Sequence, residues 1–149
     1  MATGDVYPSN IFSVELGNFQ VETVQSVSTP SIQLDVVETR QVSATGEPIA
    51  RKQPAVRPQS GEITVTRGMD KSKAFTDWIN TALEKKDIEK ARQNVTIVQY
   101  DVNKKPVVRY HFVSAWASQL KGADLDASST TAATEQVTIT YEDCVVERA

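Results

Sequence analysis

Two side chains in this sequence could do acid–base or nucleophilic chemistry near neutral pH: His111, its one histidine, and Cys144, its one cysteine. An imidazole can serve as general base, proton shuttle or metal ligand. His111, however, sits in "VVRYHFVSAW" on the side of an alternating pattern opposite the apolar one, which reads as a solvated or interface face. A nucleophilic thiolate needs cationic neighbours to lower its pKa. Cys144 is flanked by Asp143 and Val145, so it reads as buried and inert. Asp124 and Asp126 lie in the loop-like stretch "KGADLDASSTTAAT". Calcium takes roughly six to eight oxygens, and this loop offers too few, so the pair reads as solvated. The sequence contains no CxxC, HExxH, GxGxxG or P-loop spacing, so metal and nucleotide sites have no support. The expectation is a protein with no catalytic, cofactor-binding or metal-binding residues, and not an enzyme.

What remains is charge. "GEPIARKQPAVRPQSGEITVTRG", from Gly46 to Gly68, carries Arg51, Lys52, Arg57 and Arg67 with Pro48, Pro54 and Pro58, against only Glu47 and Glu62. The chain of 149 residues has a formal net charge of -3, which argues against the whole protein being a nucleic-acid binder. Its length implies one domain, 1–149, large enough to bury a core without staples. With 40% hydrophobic and 23% charged residues, it is not a disordered chain. A lone cysteine allows no internal disulfide, so nothing ties the fold to an oxidising compartment. "MATGDVYPSN" lacks the basic and apolar regions of a signal peptide, and no apolar run approaches the ~20 residues that span a bilayer. Cytoplasmic synthesis is expected. The basic segment has no aromatic residue for stacking on bases. Its prolines disfavour a helix or a central strand. A docking arm, a passive loop and a nucleic-acid arm all stay open, in that order of preference.

The elements around it follow from period. "IFSVELG" alternates, with Phe12, Val14 and Leu16 on one face, and stops at Gly17-Asn18. "FQVETVQSV" resumes the pattern as the second strand of a hairpin. "IQLDVVETRQVS" puts Ile32, Leu34 and Val36 on one side, and "GEITVTRG" does the same with Ile63 and Val65. In "MDKSKAFTDWINTALEKK" the period changes: Ala74, Phe75, Trp78, Ile79, Ala82 and Leu83 make one helical face. Asp70 is the N-cap candidate, and Lys85 and Lys86 suit the last turn. A further helical turn fits "DIEKAR". "NVTIVQYD" and "VVRYHFVSAWAS" form a long hairpin, with Val108, Tyr110, Phe112 and Trp116 on one face. "EQVTITYEDCVVE" closes the chain as one strand, with Val137, Ile139 and Tyr141 facing together. The sum is a mainly β protein of seven or so strands with one helix.

The order "FSVELG", "FQVETVQSVS", "IQLDVVETRQ", "ITVTRG" feeding "FTDW", "VVRYHFVSAW" and a closing "EQVTITYED" resembles the tail-tube family of contractile phages. It is similar in particular to inner-tube subunits of phage-tail-like contractile injection systems. The resemblance implies two packed antiparallel β-sheets forming a barrel-like sandwich, one flanking helix (about 71–85) and an extended β-hairpin arm (about 32–62). It implies hexameric rings that stack into a hollow tube, inside a sheath that drives it through a target envelope. The partners implied are further copies of the chain, the sheath, baseplate or spike and tube-terminating proteins, and a cargo effector in the lumen. Nucleic acid enters only if the tube is a phage tail. No cofactor and no membrane insertion are implied. The particle would be assembled in the cytoplasm and then released, membrane-anchored or retained. By analogy and charge, Glu38, Arg40, Glu47, Arg51, Lys52 and Arg57 are expected at the interface between copies. The alternatives are a phage tail tube conducting DNA, a tube-initiator paralogue, and, from another class, a monomeric β-barrel ligand-binding module.

Overall fold

The computed structural model describes residues 6–17, 19–21, 24–84 and 86–149, with the backbone alone at Phe19. The opening stretch 1–5, Asn18 and Lys85, all invoked above, lie outside the described residues. Two antiparallel sheets pack face to face. The first contains β1 (Phe12–Leu16), β2 (Phe19–Gln20), β7 (Gln93–Tyr100), the first part of β8 (Pro106–Lys121) and β10 (Asp143–Arg148). The second contains the last part of β8, β9 (Thr134–Tyr141), β6 (Gly61–Gly68) and β3 (Val24–Val27). The sheets form a sandwich and do not close into a barrel within one copy. A separate two-stranded sheet joins β4 (Asp35–Val42) to β5 (Pro48–Ala55).

The alternating residues supply the core. Val14, Ile63, Val65, Val95, Ile97, Phe112, Val137 and Ile139 are all almost fully buried in one cluster. Tyr141 meets Phe112 with ring centroids 4.7 Å apart, tilted by 53°, a geometry that aromatic quadrupoles favour. Helix α1 (Ala74–Leu83) buries Phe75 and Trp78 in the same cluster. The short α2 (Ile88–Ala91) is capped by Asp87, which accepts from the Lys90 N–H at 3.2 Å. The Trp78 indole N–H donates to the Ala91 carbonyl at 2.5 Å and ties the two helices together.

Three strands differ from the pattern: in two, a period-2 alternation does not show which sheet a strand joins, and in the third a bulge reverses the face itself. "FQVETVQSV" is two strands, β2 on β1 and β3 on β6. "EQVTITYEDCVVE" breaks at Glu142, whose N–H donates to the Val113 carbonyl at 3.1 Å. β9 then stays in the second sheet while β10 pairs β8 in the first. β8 itself passes from one sheet to the other through an irregularity at Ser114, which holds φ 52°. A bulge there reverses the alternation. Ala115 and Ala117 therefore join Phe112 in the core, and Trp116 does not. Trp116 instead lines a small cavity with Ala82, Ile88, Ala91 and Arg92, the Arg92 guanidinium lying 5.8 Å from its ring centre.

Asp70 is not the cap of α1. That position is Lys73, with no side-chain hydrogen bond. Asp70 sits too early in the chain; it accepts from the Ser72 N–H at 2.8 Å and pairs with Arg67. Arg67, counted above with the basic segment, lies on the inward face of β6 beside Ile63 and Val65, 1% exposed. It makes ion pairs with buried Glu135 and with Asp70, and its guanidinium lies 5.8 Å from the Phe75 ring centre. A buried guanidinium is tolerable only with such partners.

Candidate assembly surface

The catalytic candidates are quiet. Cys144 is 4% exposed, and burial, with the Asp143 charge beside it, pushes its thiol up to about 11. At neutral pH it is a thiol and a poor nucleophile. His111 is half-buried between the Thr96 hydroxyl, 3.3 Å from Nδ1, and Glu147, 3.0 Å from Nε2. Asp126 accepts from both the backbone N–H and the hydroxyl of Ser128 (3.0 and 2.8 Å), which hold its carboxyl below the usual range. This closes a local turn. Among the described residues, no group of three or more histidines, cysteines or carboxylates could hold a metal ion. No helix there is long and apolar enough to cross a membrane. A cleft of about 190 Å³, lined by Phe12, Val27, Ile97 and Tyr110 among others, opens where the sheets part. Ligand pockets usually run to roughly 300–1,000 Å³.

The hairpin β4–β5 is different. No residue from 31 to 60 is fully buried, yet the hairpin exposes the large apolar residues Val36, Val37, Val42 and Ile49, and the segments flanking it expose Ile32, Leu34 and Val56. An isolated two-stranded hairpin is marginal in water, and a run of exposed apolar side chains marks an interaction surface. The turn is well specified. The Ser43 N–H donates to the Glu47 carbonyl at 2.8 Å and the Gly46 N–H to the Ser43 carbonyl at 2.9 Å. Gly46 holds φ 85°, a left-handed conformation that glycine adopts without strain.

Register sorts the six expected interface residues. Glu38 stands opposite Lys52, and Arg40 opposite Ala50, on the face that also carries Val36, Val42, Pro48 and Pro54. Arg51 stands opposite Thr39 on the other face, with Val37 and Ile49. Glu47 is in the turn. Arg57 lies apart, at the root of the arm, where its Nε is 3.1 Å from Asp35 and its Nη2 donates to Gln33 Oε1 at 3.3 Å. Within one copy it is already committed to its own chain.

The root holds residues that patterning did not single out. The Gln59 carboxamide accepts from the Gln33 N–H at 2.8 Å and donates to the Gln33 carbonyl at 2.5 Å, acting as an extra rung of ladder. It also donates to the Arg57 carbonyl at 3.1 Å. The Gln59 N–H donates to Asp143 on β10 at 2.9 Å, which ties the arm to the body. The sequence offers no signal for this clamp beyond two glutamines flanking the arm.

The long, uncovered, partly apolar hairpin is the candidate surface of this sandwich. Comparison with known proteins shows the family. Residues 8–145 match the family model of the T4-like virus tail tube protein gp19, and the chain belongs to that family. The fold matches a chain in the structure of the anti-feeding prophage cap (the AFP tube terminating cap), with TM-score 0.78 and 26% identity over 100% of this chain and 95% of that one. It also matches a chain in the sheath-tube complex of the extracellular contractile injection system PVC in its extended state, with TM-score 0.77 and 21% identity over 99% and 95%. Hcp1 from Flavobacterium johnsoniae shares the fold at TM-score 0.56 and 16% identity over 93% and 96%. No curated protein sequence matches. The chain is thus a tube protein of the phage-tail class.

Proposed function

We propose that this protein is the inner-tube subunit of a contractile injection system and performs no chemistry of its own. Hexameric rings form by pairing sheet edges from copy to copy, which removes the unpaired edges a sandwich otherwise exposes. The rings stack into a hollow tube, and a surrounding sheath drives it through a target envelope with its cargo. The observation that carries this is the β4–β5 arm, apolar and unburied in a chain of the tail-tube family. Its charged residues, Glu38, Arg40, Glu47, Arg51 and Lys52, set register against neighbouring copies more than they add stability, as exposed charges do. Arg57 acts from the root by holding the arm to Asp35. Sheath, baseplate and terminating proteins are the further partners, in keeping with the complexes that hold the similar folds. A DNA-conducting phage tail is the second reading, favoured by the family model itself.

The test is negative-stain electron microscopy with light scattering on concentrated protein, alone and with baseplate components. Rings and hollow tubes are expected, and deletion of Arg51–Pro58 should abolish stacking. A protein that stays monomeric with every tube-nucleating partner present would contradict the proposal.

A further inference from the structure

The two edges of the arm are not equivalent. In an antiparallel pair, opposed residues alternate between those that exchange hydrogen bonds and those whose N–H and C=O point outward. The Ser43 N–H bonds to the Glu47 carbonyl, so the odd-numbered pairs, down to Asp35 opposite Ala55, form the ladder. The even-numbered residues then point their backbone groups outward. On β5 these are Pro48, Ala50, Lys52 and Pro54; on β4 they are Val36, Glu38, Arg40 and Val42. Both prolines of β5 therefore stand where a donor would face outward. Proline blunts an edge in this way. The β4 edge keeps every outward donor.

We infer that the arm is a one-sided strand acceptor: β4 adds an edge strand from a second copy of this chain, while Pro48 and Pro54 keep β5 from doing so. This rests on the tube reading above and specifies its contact. Apolar side chains on both faces of the hairpin, Val36 and Val42 on one and Val37 and Ile49 on the other, require cover on both sides. A strand added at β4 extends the sheet in its own plane, so the two faces are left for the body of that neighbouring copy and of the next one to cover. The asymmetry also gives polarity. Were both edges open, arms could pair in either direction, and a head-to-tail assembly needs one.

The test uses a matched pair. Arg40 and Ala50 stand directly opposite each other, and both face outward. Arg40→Pro and Ala50→Pro each remove one outward donor and leave the odd-numbered ladder intact. Arg40→Ala controls for the lost charge. The concentration at which tubes form is read by sedimentation and microscopy. Arg40→Pro is expected to raise it at least about tenfold, proline being excluded from paired strand positions. Ala50→Pro should leave it within about twofold, and Arg40→Ala, which keeps the outward donor, should raise it far less than Arg40→Pro does. Hydrogen exchange on wild-type tubes should show the Glu38 and Arg40 amides protected by assembly and those of Ala50 and Lys52 unprotected. Equal effects of the two prolines, or equal protection of the two edges, would overturn the inference while leaving the tube reading intact. Failure of the wild type to form tubes with its nucleating partners would overturn both.

Discussion

Removing the apolar surface of the arm should uncouple assembly from folding. Val36, Val42 and Ile49 are 68%, 74% and 42% exposed in one copy. Burying such a side chain completely is worth about 1.5–3 kcal/mol. Scaled by what is still exposed, coverage by a neighbour gives about 1.5 kcal/mol each for the valines and about 1 kcal/mol for Ile49. The triple substitution to serine should then weaken each arm contact by about 3–4 kcal/mol, a few hundredfold in the concentration needed for assembly. None of the three belongs to the core cluster, and surface changes of this sort usually move stability by no more than ~0.5 kcal/mol. The assay pairs sedimentation across a concentration series with thermal melting of the monomer. A large shift in the first and almost none in the second is expected. An unchanged assembly threshold would refute the claim that these residues are covered. A melting point lowered as much as a core substitution lowers it would show that the arm stabilises the subunit itself.

Two predictions concern the body. Glu135→Gln leaves the buried Arg67 guanidinium with a neutral partner in place of a charged one while Asp70 still compensates it; the cost should fall below the ~3–5 kcal/mol of an uncompensated buried charge, so the melting temperature should drop by about 5 °C, and no measurable drop would show the pair to be dispensable. Cys144 should react with a thiol reagent at least about a hundredfold more slowly in the native protein than in denaturant, because its thiol is buried and protonated. The same burial sets a sign for pH. The folded pKa of about 11 lies above the ordinary value of 9.0, so the unfolded chain loses this proton first. The contribution is intact below about pH 9 and is lost as pH rises towards 11, by about 2 kcal/mol. Wild type should therefore lose more stability across that window than Cys144→Ala; equal losses would contradict it.

Alternation made β1, β6, β7 and β9 readable, because each buries one face on one core. The helix was readable because Phe75 and Trp78 recur at helical spacing. What patterning could not show was where the chain changes partner. Ser114 reverses the face of β8 without a glycine to mark it, and Glu142 divides one clean alternation between two sheets. Arg67 looked like part of a basic arm because its main partner, Glu135, stands far off in sequence. The arm was legible as an arm through its prolines and charges, but its outward apolar residues looked like a core face until the body proved to be elsewhere. The Gln59 clamp depends on backbone groups of Gln33 and Arg57, which no side-chain pattern reports.

The most direct test of the tube account is a helical electron cryo-microscopy reconstruction of particles assembled from this chain. Stacked hexameric rings are expected, in which each β4–β5 arm lies on a neighbouring copy with Val42 and Ile49 covered there. Tubes whose arms project freely into solvent, or an assembly closed by contacts that leave the arm out, would contradict it.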